Sequence, residues 1–152
     1  MTKFKVRKAK PEDLKILLEF EQGIILAERP MDPTLATDPI SYYDISELIN
    51  SEEAEVIVVE YNDEVIASGY AKIKKALPYL DHEFYTYLGF MFTQPEFRGK
   101  GVNKLIVDEL RNWSVVKGLN EIRLTVYDDN TAALKAYEKV GFKKHLIEMR
   151  LE

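Results

Sequence analysis

The chain is expected to fold as a mixed α/β (α+β) sheet covered by about four helices. Three features of the sequence lead there. Short β-branched runs alternate apolar and charged residues, longer segments carry apolar residues at helical spacing, and glycine or proline punctuates the junctions between them. Read in order, these segments give β-α-α-β-β-β-α-β-α-β.

Phe4-Lys5-Val6-Arg7 alternates apolar and charged side chains and reads as a first strand. Pro11-Glu12-Asp13 opens a helix, since proline is tolerated in the first turn and carboxylates favour the positive end of the dipole. Leu14, Leu17, Leu18, Glu21, Ile24 and Ile25 continue at helical spacing until Arg29-Pro30. Pro30, Pro33 and Pro39 mark an irregular stretch before a shorter helix near Ile40–Asn50. Glu55 to Val59 is a strand, Asn62-Asp63 supplies a turn, and Glu64 to Ile73 returns. Phe84 to Phe92 is aromatic and nearly continuous, as a central strand buried on both faces would be. A helix from Val102 presents Leu105, Ile106, Leu110 and Trp113 and stops at Gly118. Ile122, Leu124 and Val126 alternate with Arg123 and Thr125 as a further strand. Asn130 caps a last helix that carries Ala133, Leu134, Tyr137 and Val140 and ends at Gly141; Lys143 to Leu151 then finishes as strand.

Composition narrows the function classes. The 152 residues suit one domain with its own core, and no repeat, low-complexity tract or Gly/Ser linker divides them. No apolar run reaches the ~18–20 residues of a transmembrane helix, and the first residues read as strand, not as a signal peptide, so no membrane is expected. With 21 Lys+Arg against 26 Asp+Glu the net charge is -5, which argues against nucleic acid and mildly favours a cationic substrate. There is no cysteine, which excludes disulfides and Cys-ligated zinc and fits a reducing cytoplasm. His82 and His145 have no ligand-spaced partners and Asp128-Asp129 lacks the density of a calcium loop, so no metal is expected.

The most informative segment runs from Thr93 to Asn103, Thr-Gln-Pro-Glu-Phe-Arg-Gly-Lys-Gly-Val-Asn. It joins a buried strand to a helix and places glycines and basic residues in the first turn, where backbone N–H groups have no intrahelical partners. Gly99 and Gly101 let an anion approach the backbone, and Arg98 and Lys100 add charge, so the turn suits a phosphate or pyrophosphate. The Walker and dinucleotide patterns both fail, because Val102-Asn103-Lys104 follows Gly101. On spacing alone a plain basic loop with a glycine-eased helix start accounts for it equally well.

Pro95-Glu96-Phe97-Arg98-Gly99-Lys100-Gly101-Val102 resembles the acyl-CoA signature of the GNAT superfamily of N-acetyltransferases, Arg/Gln-x-x-Gly-x-Gly/Ala. Downstream, Asn130, Ala133, Tyr137 and Gly141-Phe142 are similar to that family's second motif, and the element order agrees over essentially the whole chain. The resemblance implies a single N-acetyltransferase domain over 1–152, with an acyl-CoA N-acyltransferase fold of about six to seven strands. It implies acetyl-CoA as acyl donor. Met91, Phe92 and Thr93 would offer backbone groups to the pantetheine and acyl carbonyl. The amides of Arg98, Gly99, Lys100, Gly101, Val102 and Asn103 would hold the pyrophosphate. Asn130, Ala133 and Tyr137 complete the donor-binding set. Asn103 departs from the family, which usually has glycine or alanine there; its N–H remains, and its side chain can donate to phosphate or cap locally.

In such enzymes an acceptor amine attacks the thioester directly, helped by a base, an oxyanion donor and an acid for the leaving thiolate. Tyr137 is the candidate acid: it follows Asn130 by seven residues, two turns on one helix face, and the other reading is a core tyrosine beside Gly141-Phe142. Asn130 serves as N-cap, as CoA contact, or as both. Many relatives carry a carboxylate on the strand before the loop, but Tyr87-Leu88-Gly89-Phe90-Met91 has none. Glu83, Asp81, His82, Glu21 and Asp32 are each better read as solvated surface charges, so no base is assigned. Glu28 to Pro33, with Tyr42 and Tyr43, is expected to wall the acceptor site or else to form a proline-stiffened surface loop. The expected activity is acetyl transfer to a primary amine on a small molecule or protein, in the cytoplasm. The alternative is a non-catalytic acyl-CoA-binding regulatory module. Acyl groups other than acetyl stay open, as does a homodimer paired through the C-terminal strand.

Overall fold

The computed structural model describes residues 3–152. Strands β1 (Phe4–Lys8), β2 (Ala54–Tyr61), β3 (Glu64–Lys75), β4 (Phe84–Thr93) and β5 (Ile122–Arg123) form one sheet in chain order. The first three pairings are antiparallel and β4–β5 is parallel, so the sheet is mixed. Among the described residues four α-helices accompany it: α1 (Leu14–Glu28), α2 (Ile45–Asn50), α3 (Val102–Val116) and α4 (Thr131–Lys139).

Strand alternation assigns the two faces. On β2, Val56 and Val58 pack with Leu17 and Phe20 of α1 and Ile45, Leu48 and Ile49 of α2. Their neighbours Ile57 and Val59 point the other way, to Val102, Ile106 and Leu110 of α3. Asn62 and Asp63 both take positive φ, 50° and 66°, which is what a two-residue hairpin turn requires. Asn130 accepts the Ala133 amide at 3.2 Å and starts α4, while Gly118 (φ 80°) and Gly141 (φ 111°) follow the ends of α3 and α4.

Several expectations change. The second helix begins at Ile45 and not near Ile40, because the Tyr42 and Tyr43 amides donate to the Glu21 carboxylate and Asp44 caps the turn that follows. The fifth strand ends at Arg123 instead of Val126, and the strand expected over Lys143–Leu151 carries no regular secondary structure. The sheet therefore has five strands among the described residues, against the six to seven expected. Leu146, Ile147, Met149 and Leu151 are at least 80% exposed: alternation favours extended backbone, but a ladder needs a neighbouring edge. Strand β4 is not buried evenly on both faces. Thr86, Leu88 and Phe90 are buried while Tyr85, Tyr87, Gly89 and Met91 are half-buried, because its end lines a cavity.

Candidate active site

Two local irregularities open the sheet. Ser68 pairs with Phe92 and Tyr70 with Gly89, so Phe90 and Met91 together face Gly69 in a β-bulge. Phe90 adopts φ 57°, and its carbonyl accepts the Ser68 hydroxyl at 2.9 Å. Gly69 is needed here: a Cβ would lie 2.6 Å from Ile106 and 2.7 Å from the Met91 sulfur. The second irregularity is the splay between β4 and β5. Their ladder is limited to Thr86–Ile122 and Tyr87–Arg123, and beyond it the Tyr87 hydroxyl reaches Thr125 at 2.6 Å.

The opening is a cavity of about 520 Å³. Gly89, Phe90 and Met91 form its floor at the bulge, and Asn130, Ala133 and Tyr137 of α4 and its cap form one wall. Glu28 at the end of α1, Asp32, and Tyr42 and Tyr43 form the opposite wall. Tyr127 closes the rim by donating to Asp32 at 2.5 Å, and Glu148 joins from the C-terminal segment. Tyr137 packs edge-on against Phe142, with ring centroids 5.8 Å apart. Burial, then the charge of Glu28, pushes its phenol above the usual tyrosine range, so the group is protonated and able to donate at neutral pH.

The glycine-rich turn lies just beyond the end of β4. Gly99 and Gly101 take φ 76° and 81°, and a Cβ on either would meet nothing within 4 Å. Among the described residues, no backbone bond outside the regular elements uses the amides of residues 99–103. Gly101 immediately precedes α3, whose dipole is positive at this end. Open space, uncommitted donors and the exposed Lys100 fit a phosphate or pyrophosphate group. Arg98 is committed locally: its amide bonds to Pro95 and its Nε donates to the Thr93 carbonyl at 3.0 Å. The Asn103 Nδ2 is buried without a hydrogen-bond partner among the described residues.

The acidic residues separate sharply. Glu21 is 1% exposed, not a surface charge, and its Oε2 accepts the Tyr42 and Tyr43 amides at 2.8 Å each and the Ser41 hydroxyl at 3.2 Å. Asp32 accepts the Thr34 amide and hydroxyl in addition to Tyr127, and these bonds hold its carboxyl below the usual range. Among the described residues Glu28 accepts a single bond, from the Tyr42 hydroxyl at 2.9 Å, and burial raises its carboxyl above the usual range. Asp81 pairs with His82 at 2.8 Å, and neither these two nor Glu83 lines the cavity. Among the described residues no group of three or more His, Cys, Asp or Glu is placed to hold a metal ion, and no helix is long and apolar enough to cross a membrane.

Met91, Asn130, Ala133 and Tyr137 thus share one cavity, whereas residues 98–103 form a separate turn at the end of β4. Phe92 turns away and stacks on Phe20 with centroids 4.7 Å apart. Sequence reading missed Tyr127 and Glu148, which lack any local motif. Of the stretch expected to wall the acceptor site, Glu28, Asp32, Tyr42 and Tyr43 line the cavity, whereas Arg29, Pro30, Met31 and Pro33 do not.

The site thus combines a bulged strand, a glycine turn with free amides and a tyrosine in the adjoining cavity. Residues 23–142 match the acetyltransferase (GNAT) family, and the chain belongs to that family. Its fold is similar to that of a Clostridium acetobutylicum protein described as a predicted acetyltransferase, solved with acetyl-CoA. That pair has TM-score 0.77 and 22% identity over 98% of this chain and 96% of the other. It is also similar to an aminoglycoside 6'-N-acetyltransferase from Acinetobacter haemolyticus, with TM-score 0.74 and 15% identity over 97% of both chains. A transcriptional regulator from Bacillus halodurans shares the fold at TM-score 0.76 and 18% identity, over 98% of this chain and 99% of that one.

Proposed function

We propose that this protein is an acetyl-CoA-dependent N-acetyltransferase acting on a primary amine of a small molecule or protein. The observation that carries this reading is the convergence of Tyr137, Asn130 and the β4 bulge at Met91 in one cavity. The glycine turn lies at the end of the same strand. The amides of residues 99–103 hold the pyrophosphate, with Lys100 adding charge. The bulge leaves Met91 without a register partner on β3, and its backbone groups orient the pantetheine and the acyl carbonyl. The acceptor enters between Glu28 and Tyr127, where its amine nitrogen attacks the thioester carbon directly. Tyr137 gives its proton to the departing thiolate. With no cysteine in the chain, a cysteinyl acyl-enzyme does not arise. Residues 1–152 act as one such domain, in the reducing cytoplasm that a cysteine-free chain fits.

The test is release of CoA thiol from acetyl-CoA in the presence of a panel of amines. Release that requires both protein and amine, with the N-acetyl product found by mass spectrometry, is the expected result. Tight acetyl-CoA binding with no transfer to any amine would make the protein an acyl-CoA-binding module instead.

A further inference from the structure

We infer that Glu28 is the general base that takes the proton from the acceptor ammonium, acting from the end of α1 across the cavity from Tyr137. The inference rests on the N-acetyl-transfer reading and adds to it a residue and an acceptor charge. The β4 residues at the cavity, from Tyr87 to Met91, include no acid, so the base must come from another element. Three acids of α1 and the following loop lie near enough to consider, and their hydrogen bonds separate them. Glu21 is sealed under the 41–43 segment. Asp32 is occupied by Thr34 and Tyr127. Of these three only Glu28 keeps one carboxylate oxygen without a partner among the described residues, and it lines the cavity; Glu148, which also lines it, is exposed on the C-terminal segment and stays solvated.

Its surroundings call for a cation. Among the described residues no Lys, Arg or His forms an ion pair with Glu28. From its own side of the cavity Asp32, Tyr42 and Tyr43 face it, and Tyr70 and Tyr87 do so from the sheet. Tyr127, Tyr137 and Glu148 face it from the chain beyond β5, and Arg150 acts on Asp32. A half-buried carboxylate among phenols and other carboxylates is best neutralised by an incoming ammonium. Burial and Asp32 disfavour its ionised form, outweighing the Tyr42 hydrogen bond, and so make it a stronger base than a solvated glutamate.

The Glu28 carboxylate accepts one proton from R–NH3+, leaving R–NH2. The amine lone pair forms the C–N bond, and the C–S bond breaks. The thiolate takes the Tyr137 proton, the phenolate recovers one from the new N–H, and Glu28 passes its proton to water. One acetamide, one CoA thiol and one proton result.

The experiment compares pH profiles of kcat/KM for the wild type, Glu28→Gln and Tyr42→Phe. The acceptor is the best one among putrescine, glucosamine and a lysyl peptide. Wild-type activity should fall as pH drops through the raised Glu28 pKa, because only the ionised form accepts a proton. Glu28→Gln should lose roughly 10²-fold near neutral pH. It should then recover about tenfold per pH unit as the amine deprotonates itself, with acetyl-CoA affinity unchanged. Tyr42→Phe removes the bond that lowers the Glu28 pKa, so the acid limb should move to higher pH. A Glu28→Gln profile that overlays the wild type would overturn the proposal. So would a loss that alkaline pH does not restore, or an acid limb unmoved in Tyr42→Phe. A wild type that binds acetyl-CoA but acetylates none of the panel would instead overturn the transfer reading on which the proposal stands.

Discussion

Tyr137 makes its aromatic contact with Phe142, yet it lines the cavity with a phenol raised by burial and by Glu28. Packing and proton donation are compatible, because the ring edge and the hydroxyl are different parts of the side chain. Tyr137→Phe keeps the packing and removes the proton. It should lower kcat by roughly 10²-fold, well beyond any loss of acetyl-CoA affinity, as steady-state kinetics beside calorimetry would show; equal kcat would return the residue to the core. The second motif brought Tyr137 and Asn130 together as neighbours of one cavity, since one lies on a short helix and the other caps it at fixed spacing. Glu21, Glu28 and Asp32 were not separable that way. All three are acids on or just after the first helix, and their fates depend on donors from Ser41–Tyr43 and Tyr127 as well as on nearby Thr34.

At the scale of elements, one buried carboxylate positions a whole segment. Glu21 on α1 fastens the start of the 41–43 strap, and the same strap carries Tyr42 and Tyr43 into the cavity. Glu21→Ala would strand two amides and a hydroxyl, and should cost about 3 kcal/mol in urea unfolding. Glu21→Gln keeps an acceptor oxygen and should cost less. An alanine variant as stable as the wild type would show that the strap is held by other contacts. This long-range bond is also why the second helix starts later than local spacing predicts. Local patterns anticipated the helix caps at Asn130, Gly118 and Gly141 and the Asn62-Asp63 turn, because those depend on neighbours in the chain. They overextended the strands after Ile122 and Lys143, because pairing depends on an edge that the splay at Thr125 withdraws.

On the scale of the molecule, the antiparallel strands β1 to β4 form a platform between α1 and α2 on one face and α3 on the other. The platform's last strand does two jobs: its bulge floors the cavity, and its end delivers the glycine turn to the start of α3. This arrangement places a glycine turn with free amides and an acidic, tyrosine-rich cavity along one strand, as the proposed donor, with its long pyrophosphate-linked arm, and a cationic acceptor would require. The most direct check is calorimetric titration with acetyl-CoA, against ATP and NAD, for the wild type, Gly101→Ala and Gly101→Glu. Both variants carry the same backbone cost at φ 81°, and only glutamate puts negative charge into the open space. Selective acetyl-CoA binding is expected, weakened at least about tenfold more by glutamate than by alanine, or roughly 1.4 kcal/mol. Equal binding of ATP, NAD and acetyl-CoA, or a Gly101→Glu affinity matching that of Gly101→Ala, would contradict the account.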